Sequence, residues 1–336
     1  MDLAYLQLPL VFFTAAAPMS SGAFIGLAIA FATTRFSAEE LGRIDRWTLL
    51  PLAILAASFV AVLAFSFAPQ SALLAIQGVG LGSLGFVAVM AVLFAVAALV
   101  YWVVAMLGKL ADGVRKVYVG FLGVLAVVLS VAIGVAYSLS DVSTWASPVV
   151  PLGFAGYCVV GGVPLGMFVV AAARALPTAR ATRFGSIALI SAFVGAVVSI
   201  FAVTVLMMNA QATAAAVLPG VDFLPGAWVY LVVSIVGFVA VLACMRGSLG
   251  GGRSSAPLGS TAGASAMPWN SFDDAPVGDP ARTDSVRTDA AHVRDTTGAG
   301  ESTAATASSV GLLALGNVAV LVALVAARVL FYALQI

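Results

Sequence analysis

A chain of 336 residues that is 62% hydrophobic and 9% charged, with a mean hydropathy of +1.13, has the composition of a membrane protein rather than of a water-soluble domain. Its formal net charge of +1 leaves no basic surplus for nucleic acid. Cys158 and Cys244 lie far apart in apolar runs and the one histidine, His292, lies in a polar stretch, so this chain alone builds neither a zinc site, an iron–sulfur cluster nor a bis-histidine haem.

A hydrocarbon core about 30 Å thick needs roughly 20 apolar residues at a rise of about 1.5 Å each. Eight stretches meet that length, near residues 5–33, 47–68, 80–107, 117–139, 149–173, 185–209, 225–245 and 309–335. None shows the alternating pattern of a barrel strand, and in lipid every backbone group must be satisfied within its own segment. The expected fold is an all-α integral membrane protein with eight transmembrane helices. No Lys or Arg precedes the first apolar run, so that span is expected to act as its own signal.

The basic residues fall in alternate loops: Arg35, Arg43 and Arg46; Lys109, Arg115 and Lys116; Arg174, Arg180 and Arg183; then Arg246, Arg253, Arg282, Arg287 and Arg294. The intervening loops carry none. By the positive-inside rule these loops are cytoplasmic, which sets both termini outside and makes the chain a multi-pass protein of the cell (cytoplasmic) membrane. A missed or spurious span would destroy the alternation. From Gly247 to Ser308 the composition turns to Gly, Ser, Ala, Thr and Asp with Trp269 and Phe272 as the aromatics, too little apolar surface to offset the entropy of ordering. The expected organisation is a seven-helix region over 1–245, a disordered cytoplasmic linker over 246–308 and an eighth helix over 309–336.

No carboxylate lies in any expected span, which argues against a proton pump or a cation-coupled transporter. No Ser/His/Asp set, HExxH or phosphate loop is present, so no catalytic residue and no metal ligand is expected. The remaining basic residue, Arg328, lies inside the last span with Tyr332 one turn beyond on the same face. Two readings fit it: a donor to a quinone carbonyl or an external subunit, or a structural cation that snorkels or bonds to Asp141 or backbone carbonyls. Gln70 and Gln77, in the outer loop from Phe65 to Gly80, either line a lipid-accessible pocket through their amides or belong to an ordinary helix connection. Tyr137, Asp141 and Trp145 in the next outer loop are candidates for docking a partner. Pro18 and the run Gly161-Gly162-Val163-Pro164-Leu165-Gly166 thin the first and fifth spans, which permits close packing or a cavity.

Several segments, in order along the chain, together resemble the membrane anchor subunits of dimethyl sulfoxide reductases, the DmsC family. They are Leu8-Pro9-Leu10 with Phe13-Thr14 and Gly22-Ala23-Phe24, the stretch from Tyr137 through Asp141-Val142-Ser143-Thr144-Trp145, the run from Gly161, and Arg328-Val329-Leu330-Phe331-Tyr332. The resemblance implies eight spans with the N-terminus outside. It also implies anchoring of a four-cluster iron–sulfur subunit and a molybdopterin catalytic subunit on the outer face, and oxidation of menaquinol as substrate without haem, with no cofactor held covalently or as a metal. On that reading Gln70, Gln77, Arg328 and Tyr332 meet the quinol. The family's quinol-linked histidine is expected near Phe65 or Ser66 and its acidic residue near Phe86 or Val87, where this chain has no ionisable group. The linker before the last span is also unlike the family. A small-molecule permease, with its path between the interrupted first and fifth spans, and a purely structural anchor are the alternative readings.

Overall fold

In lipid a helix gains little by hiding apolar side chains, so close approach of backbones and the few polar groups between them decide which helices pack. The computed structural model describes residues 8–66, 84–108, 110–139, 142, 144–217, 226–250 and 285–334. These residues form ten α-helices: α1 Leu8–Thr33, α2 Ala38–Trp47, α3 Leu49–Ser66, α4 Leu84–Met106, α5 Asp112–Ser138, α6 Val149–Ala172, α7 Leu176–Arg180, α8 Phe184–Val217, α9 Ala227–Gly250 and α10 Ser285–Ala333. Eight stretches are long and apolar enough to cross a bilayer: α1, Ala38–Ala61 running through α2 into α3, α4, α5, α6, α8, α9 and the Ala307–Ala333 part of α10. The all-α expectation with eight spans is met, and there is no strand among the described residues.

Helices α1 and α6 form the centre. Their most apolar windows are 83% buried within the protein, against 28% for α4 and α9, whose Val and Leu side chains face outward. The cause is glycine. Gly22 and Gly26 on α1 meet Gly162 and Gly166 on α6, each pair spaced i, i+4 on one face. A Cβ on Gly22 would stand 2.0 Å from the Cys158 carbonyl oxygen, and one on Gly162 2.1 Å from the Gly22 carbonyl carbon. A second seam joins α6 to α8, where a Cβ on Gly156 would come within 2.6 Å of Ser199 Oγ and one on Gly195 within 2.7 Å of the Val160 nitrogen. The interrupted spans therefore serve close packing. Pro18 and Pro164 sit inside α1 and α6 without ending them, and beside Pro18 the Ser20 and Ser21 hydroxyls donate to the Ala17 carbonyl at 3.1 and 2.8 Å.

Two helix starts differ from the sequence reading. The second span begins at Ala38 rather than near 47, because Ser37 and Glu40 form a capping box: the Glu40 nitrogen donates to Ser37 Oγ at 3.3 Å and the Ser37 nitrogen to Glu40 Oε2 at 2.8 Å. Helix α10 begins at Ser285, well before the expected start at 309, so the backbone of 285–308 is helical where a structureless linker is expected from composition. No proline follows Pro280 to interrupt it. Residues 251–284 of that linker lie outside the described residues.

At one end of the bundle the turns that carry the basic residues are tied together. The Thr34 and Thr182 hydroxyls lie 2.9 Å apart, Thr178 Oγ1 donates to Glu40 at 2.6 Å, and Arg180 donates to the Ser248 carbonyl. Loops that the charge alternation assigns to one side therefore meet in space.

Candidate functional site

The other end is organised around one cation. Arg328, on α10, is 0% exposed, so it does not snorkel to the headgroups. Its Nε donates to Thr14 Oγ1 on α1 at 2.9 Å, and that hydroxyl in turn reaches the Leu10 carbonyl at 2.8 Å. The guanidinium carbon lies 4.0 Å from the centroid of Phe331, 4.4 Å from Phe154, 4.9 Å from Tyr332 and 5.1 Å from Tyr137. Four ring quadrupoles thus offset part of the cost of holding a cation in a dry site, at about 2 kcal/mol or more for a desolvated contact. Among the described residues no carboxylate forms an ion pair with Arg328. Its Nη2 is buried with no hydrogen-bond partner.

Tyr332 and Tyr137 share a hydroxyl–hydroxyl hydrogen bond beside the guanidinium. The loop after α5 then closes over the end of α10. Trp145 stacks on Phe331 at 4.6 Å and donates from Nε1 to the Phe331 carbonyl at 3.2 Å, while Thr144 Oγ1 donates to the Leu334 carbonyl at 2.7 Å. These carbonyls belong to the last turn of a helix, where no intrahelical donor reaches them. Tyr137 and Trp145 are accordingly buried, and they build the loop from beneath rather than standing on its surface. Trp145→Ala removes both the stack and the cap and is expected to cost about 3 kcal/mol of stability. Trp145→Phe keeps the ring and is expected to cost about 1 kcal/mol. Unfolding of the detergent-solubilised chain measures both, and equal losses in the two variants would show that the stacking contributes nothing.

Arg328, Phe331, Phe154 and Tyr157 line a narrow cleft of about 20 Å³, little more than the room for one water molecule, whose far wall is Ala202, Val203 and Leu206 of α8. Its side chains are apolar apart from Arg328 and Tyr157. Of the residues singled out from sequence, Arg328, Tyr332, Tyr137 and Trp145 cluster at this end of α10, and of the four Arg328 alone lines the cleft. Gln70, Gln77 and Asp141 lie outside the described residues. Thr14 and Phe154 were not among the sequence candidates. The signal for Thr14 was the polar residue four places before Pro18, whose missing N–H leaves the Thr14 carbonyl without its intrahelical donor.

A second polar cluster, at the basic end, was also missed. Arg115 Nη2 donates to Asp45 Oδ2 at 2.9 Å and the Tyr101 hydroxyl to Asp45 Oδ1 at 3.0 Å, joining α2, α5 and α4. Asp45 is 1% exposed and Arg115 7%. Where the family histidine and acid are expected, Val87 is buried, and the side chains of Phe65 and Ser66 lie outside the described residues.

Comparison with curated proteins gives no match, and none of the solved structures matches. A family model does match, described as DMSO reductase anchor subunit (DmsC), over residues 1–249. The match ends at the foot of α9, so Arg328 and Tyr332 on α10 lie beyond it while their partners Thr14, Tyr137 and Phe154 lie within. Covering most of the chain, and agreeing with eight apolar helices, the match establishes that this protein belongs to the DMSO reductase anchor subunit family.

Proposed function

We propose that this anchor is the quinol-interacting subunit of a DMSO reductase-like molybdopterin oxidoreductase, passing electrons from quinol to an external iron–sulfur subunit. Family membership makes it the multi-pass membrane anchor that associates with catalytic and iron–sulfur subunits. One observation carries the finer reading: Arg328 is fully buried, lines a cleft and has an unspent donor in Nη2. A structural arginine in lipid spends its donors, and an intramembrane ionisable residue with one left over is a functional candidate.

In this reading the quinol head enters by widening the narrow cleft between α6, α8 and α10, and it accepts from Arg328 Nη2 at one ring oxygen. Oxidation to quinone releases two electrons and two protons. The electrons go one at a time to the nearest cluster of the iron–sulfur subunit, and the protons go to water at that end of the bundle. Arg328 stabilises the negative charge that develops on the oxygen as its proton leaves. The Tyr332–Tyr137 hydroxyl pair offers the relay that a histidine offers elsewhere, and Gln70 and Gln77 hold the second ring oxygen. The quinol is menaquinol, as the family resemblance implies. In this reading this end faces outward from the cell membrane with both termini, which the placement of the basic loops supports. The partner docks on the loop that carries Asp141 and that Tyr137 and Trp145 hold in shape. A permease path between α1 and α6 is disfavoured, because backbone contact at Gly22 and Gly162 fills that interface.

The test is reduction of the partner's clusters by a menaquinol analogue in the complex purified from native membranes. Losing a hydrogen bond from a charged donor costs roughly 1.5–3 kcal/mol. Arg328→Ala is therefore expected to slow reduction about tenfold to a hundredfold, with the subunits still co-purifying. Cluster reduction at the wild-type rate in that variant would leave the chain a structural anchor.

A further inference from the structure

At the basic end, an open pocket of about 390 Å³ lies where the foot of α1 and the turn after it meet the start of α5. Unlike the clefts along the lipid-facing helices, its lining is largely polar. Three of its side chains are cations, Arg35, Arg115 and Lys116, against the Asp112 carboxylate at the pocket and the Asp45 carboxylate that Arg115 meets behind it. Arg115 is buried and fixed by Asp45, and its Nε has no hydrogen-bond partner. Its Nη1 reaches the exposed Asp112 at only 3.5 Å, a contact too long to hold against a better acceptor. Arg35 and Lys116 are exposed and unpaired by any salt bridge among the described residues. The surrounding backbone is held by the Ser37–Glu40 capping box and by the Thr34–Thr182 contact.

We propose that this pocket binds the phosphate of an anionic membrane phospholipid, with Arg115 as the fixed donor and Arg35 and Lys116 as the closing cations. A planar guanidinium held on one side by a carboxylate presents its remaining N–H groups to phosphate oxygens without an entropy cost for ordering. Basic pockets between spans, at headgroup depth, suit a phosphate that also carries acyl chains. A bound lipid here would brace the α1–α5 junction and the buried Asp45 behind it. The site is separate from the Arg328 cleft at the opposite end, so its fate does not depend on the quinol reading.

The test is native mass spectrometry of the full chain released from nanodiscs of phosphatidylglycerol or of phosphatidylcholine. The wild type is expected to retain phosphatidylglycerol and not phosphatidylcholine. Each exposed cation at an anionic headgroup contributes a factor of roughly five, so Arg35→Gln with Lys116→Gln is expected to lower retention by roughly thirtyfold. Both residues are exposed, so the fold is not at stake, and elution as a single species confirms it. Removing two other exposed cations, Arg174→Gln with Arg183→Gln, is expected to leave retention unchanged, which separates a site from general charge attraction. Displacement of the lipid by millimolar inorganic phosphate, with no preference for phosphatidylglycerol, would keep the phosphate site and assign it to free phosphate. Equal retention in the Arg35/Lys116 variant and the wild type would overturn the proposal.

Discussion

Gly162→Leu is expected to abolish accumulation of folded protein in the membrane. Even the first atom of any side chain at this position would lie 2.1 Å from the Gly22 carbonyl carbon and 2.3 Å from its Cα, backbone atoms that cannot rotate aside. The two central helices would have to part by more than an ångström, and with them the seams from α6 to α8 and from α1 to α5. Overpacking in a relaxed core typically costs about 1–3 kcal/mol. Here the clash is backbone to side chain on both central helices, so Gly162→Ala alone is expected to cost about 3 kcal/mol or more. Gly120, on α5, has nothing within 4 Å of its Cβ direction, so Gly120→Ala removes backbone freedom without a clash and is expected to stabilise by roughly 0.5 kcal/mol. Membrane-fraction yield and thermal unfolding in detergent compare the three. Wild-type yield and melting for Gly162→Leu would mean that α1 and α6 do not meet as described.

The same glycines show what can be read from a sequence of this kind. Eight spans were legible because water-facing cations are costly to place in lipid, and their alternation is a global constraint that no single helix escapes. The Arg328 cluster was legible in part for the same reason: Tyr137, Trp145, Arg328 and Tyr332 are assigned to one side by the parity of the spans. What joins them was not. A cation set among ring faces leaves no charge partner to look for, and the buried Phe154 and Phe331 are indistinguishable in sequence from a lipid-facing phenylalanine. The Gly161–Gly166 run was recognisable as a thin stretch of helix, but its partner pair Gly22 and Gly26 emerges only when the two helices are laid together. At the basic end, Asp45 and Arg115 read as loop charges because the second span was begun near 47 and the fourth near 117. The Ser37-x-x-Glu40 capping box, with Leu41 and Ile44 following at helical spacing, was the local signal that the helix starts earlier and carries Asp45 inside.

Asp45→Ala is expected to destabilise the protein by about 3–5 kcal/mol, since it leaves the Arg115 guanidinium buried without its carboxylate and the Tyr101 hydroxyl without its acceptor. The loss falls on helices with little else to hold them. Only about a third of the Ala38–Ala61 span, and less of α4, is buried in the protein, and α4 is moored chiefly by Tyr101 and Phe94 against Phe24. Replacing the whole cluster by apolar residues, Asp45→Leu with Arg115→Met and Tyr101→Phe, removes every unsatisfied group together and is expected to recover most of that stability. Denaturant titration of the solubilised chain across the single and triple variants measures the coupling. If the triple variant is as unstable as Asp45→Ala, the cluster stabilises by its specific geometry rather than by avoiding an unpaired charge. The consequence reaches function through topology. Helices α3 and α4 flank residues 67–83 in sequence, so a cluster that fixes their far ends also bears on where Ser66 and Leu84 stand, the two positions between which Gln70 and Gln77 fall. Asp45→Ala is therefore expected to slow quinol-dependent reduction at a temperature where the protein is still folded, and the triple variant to restore it.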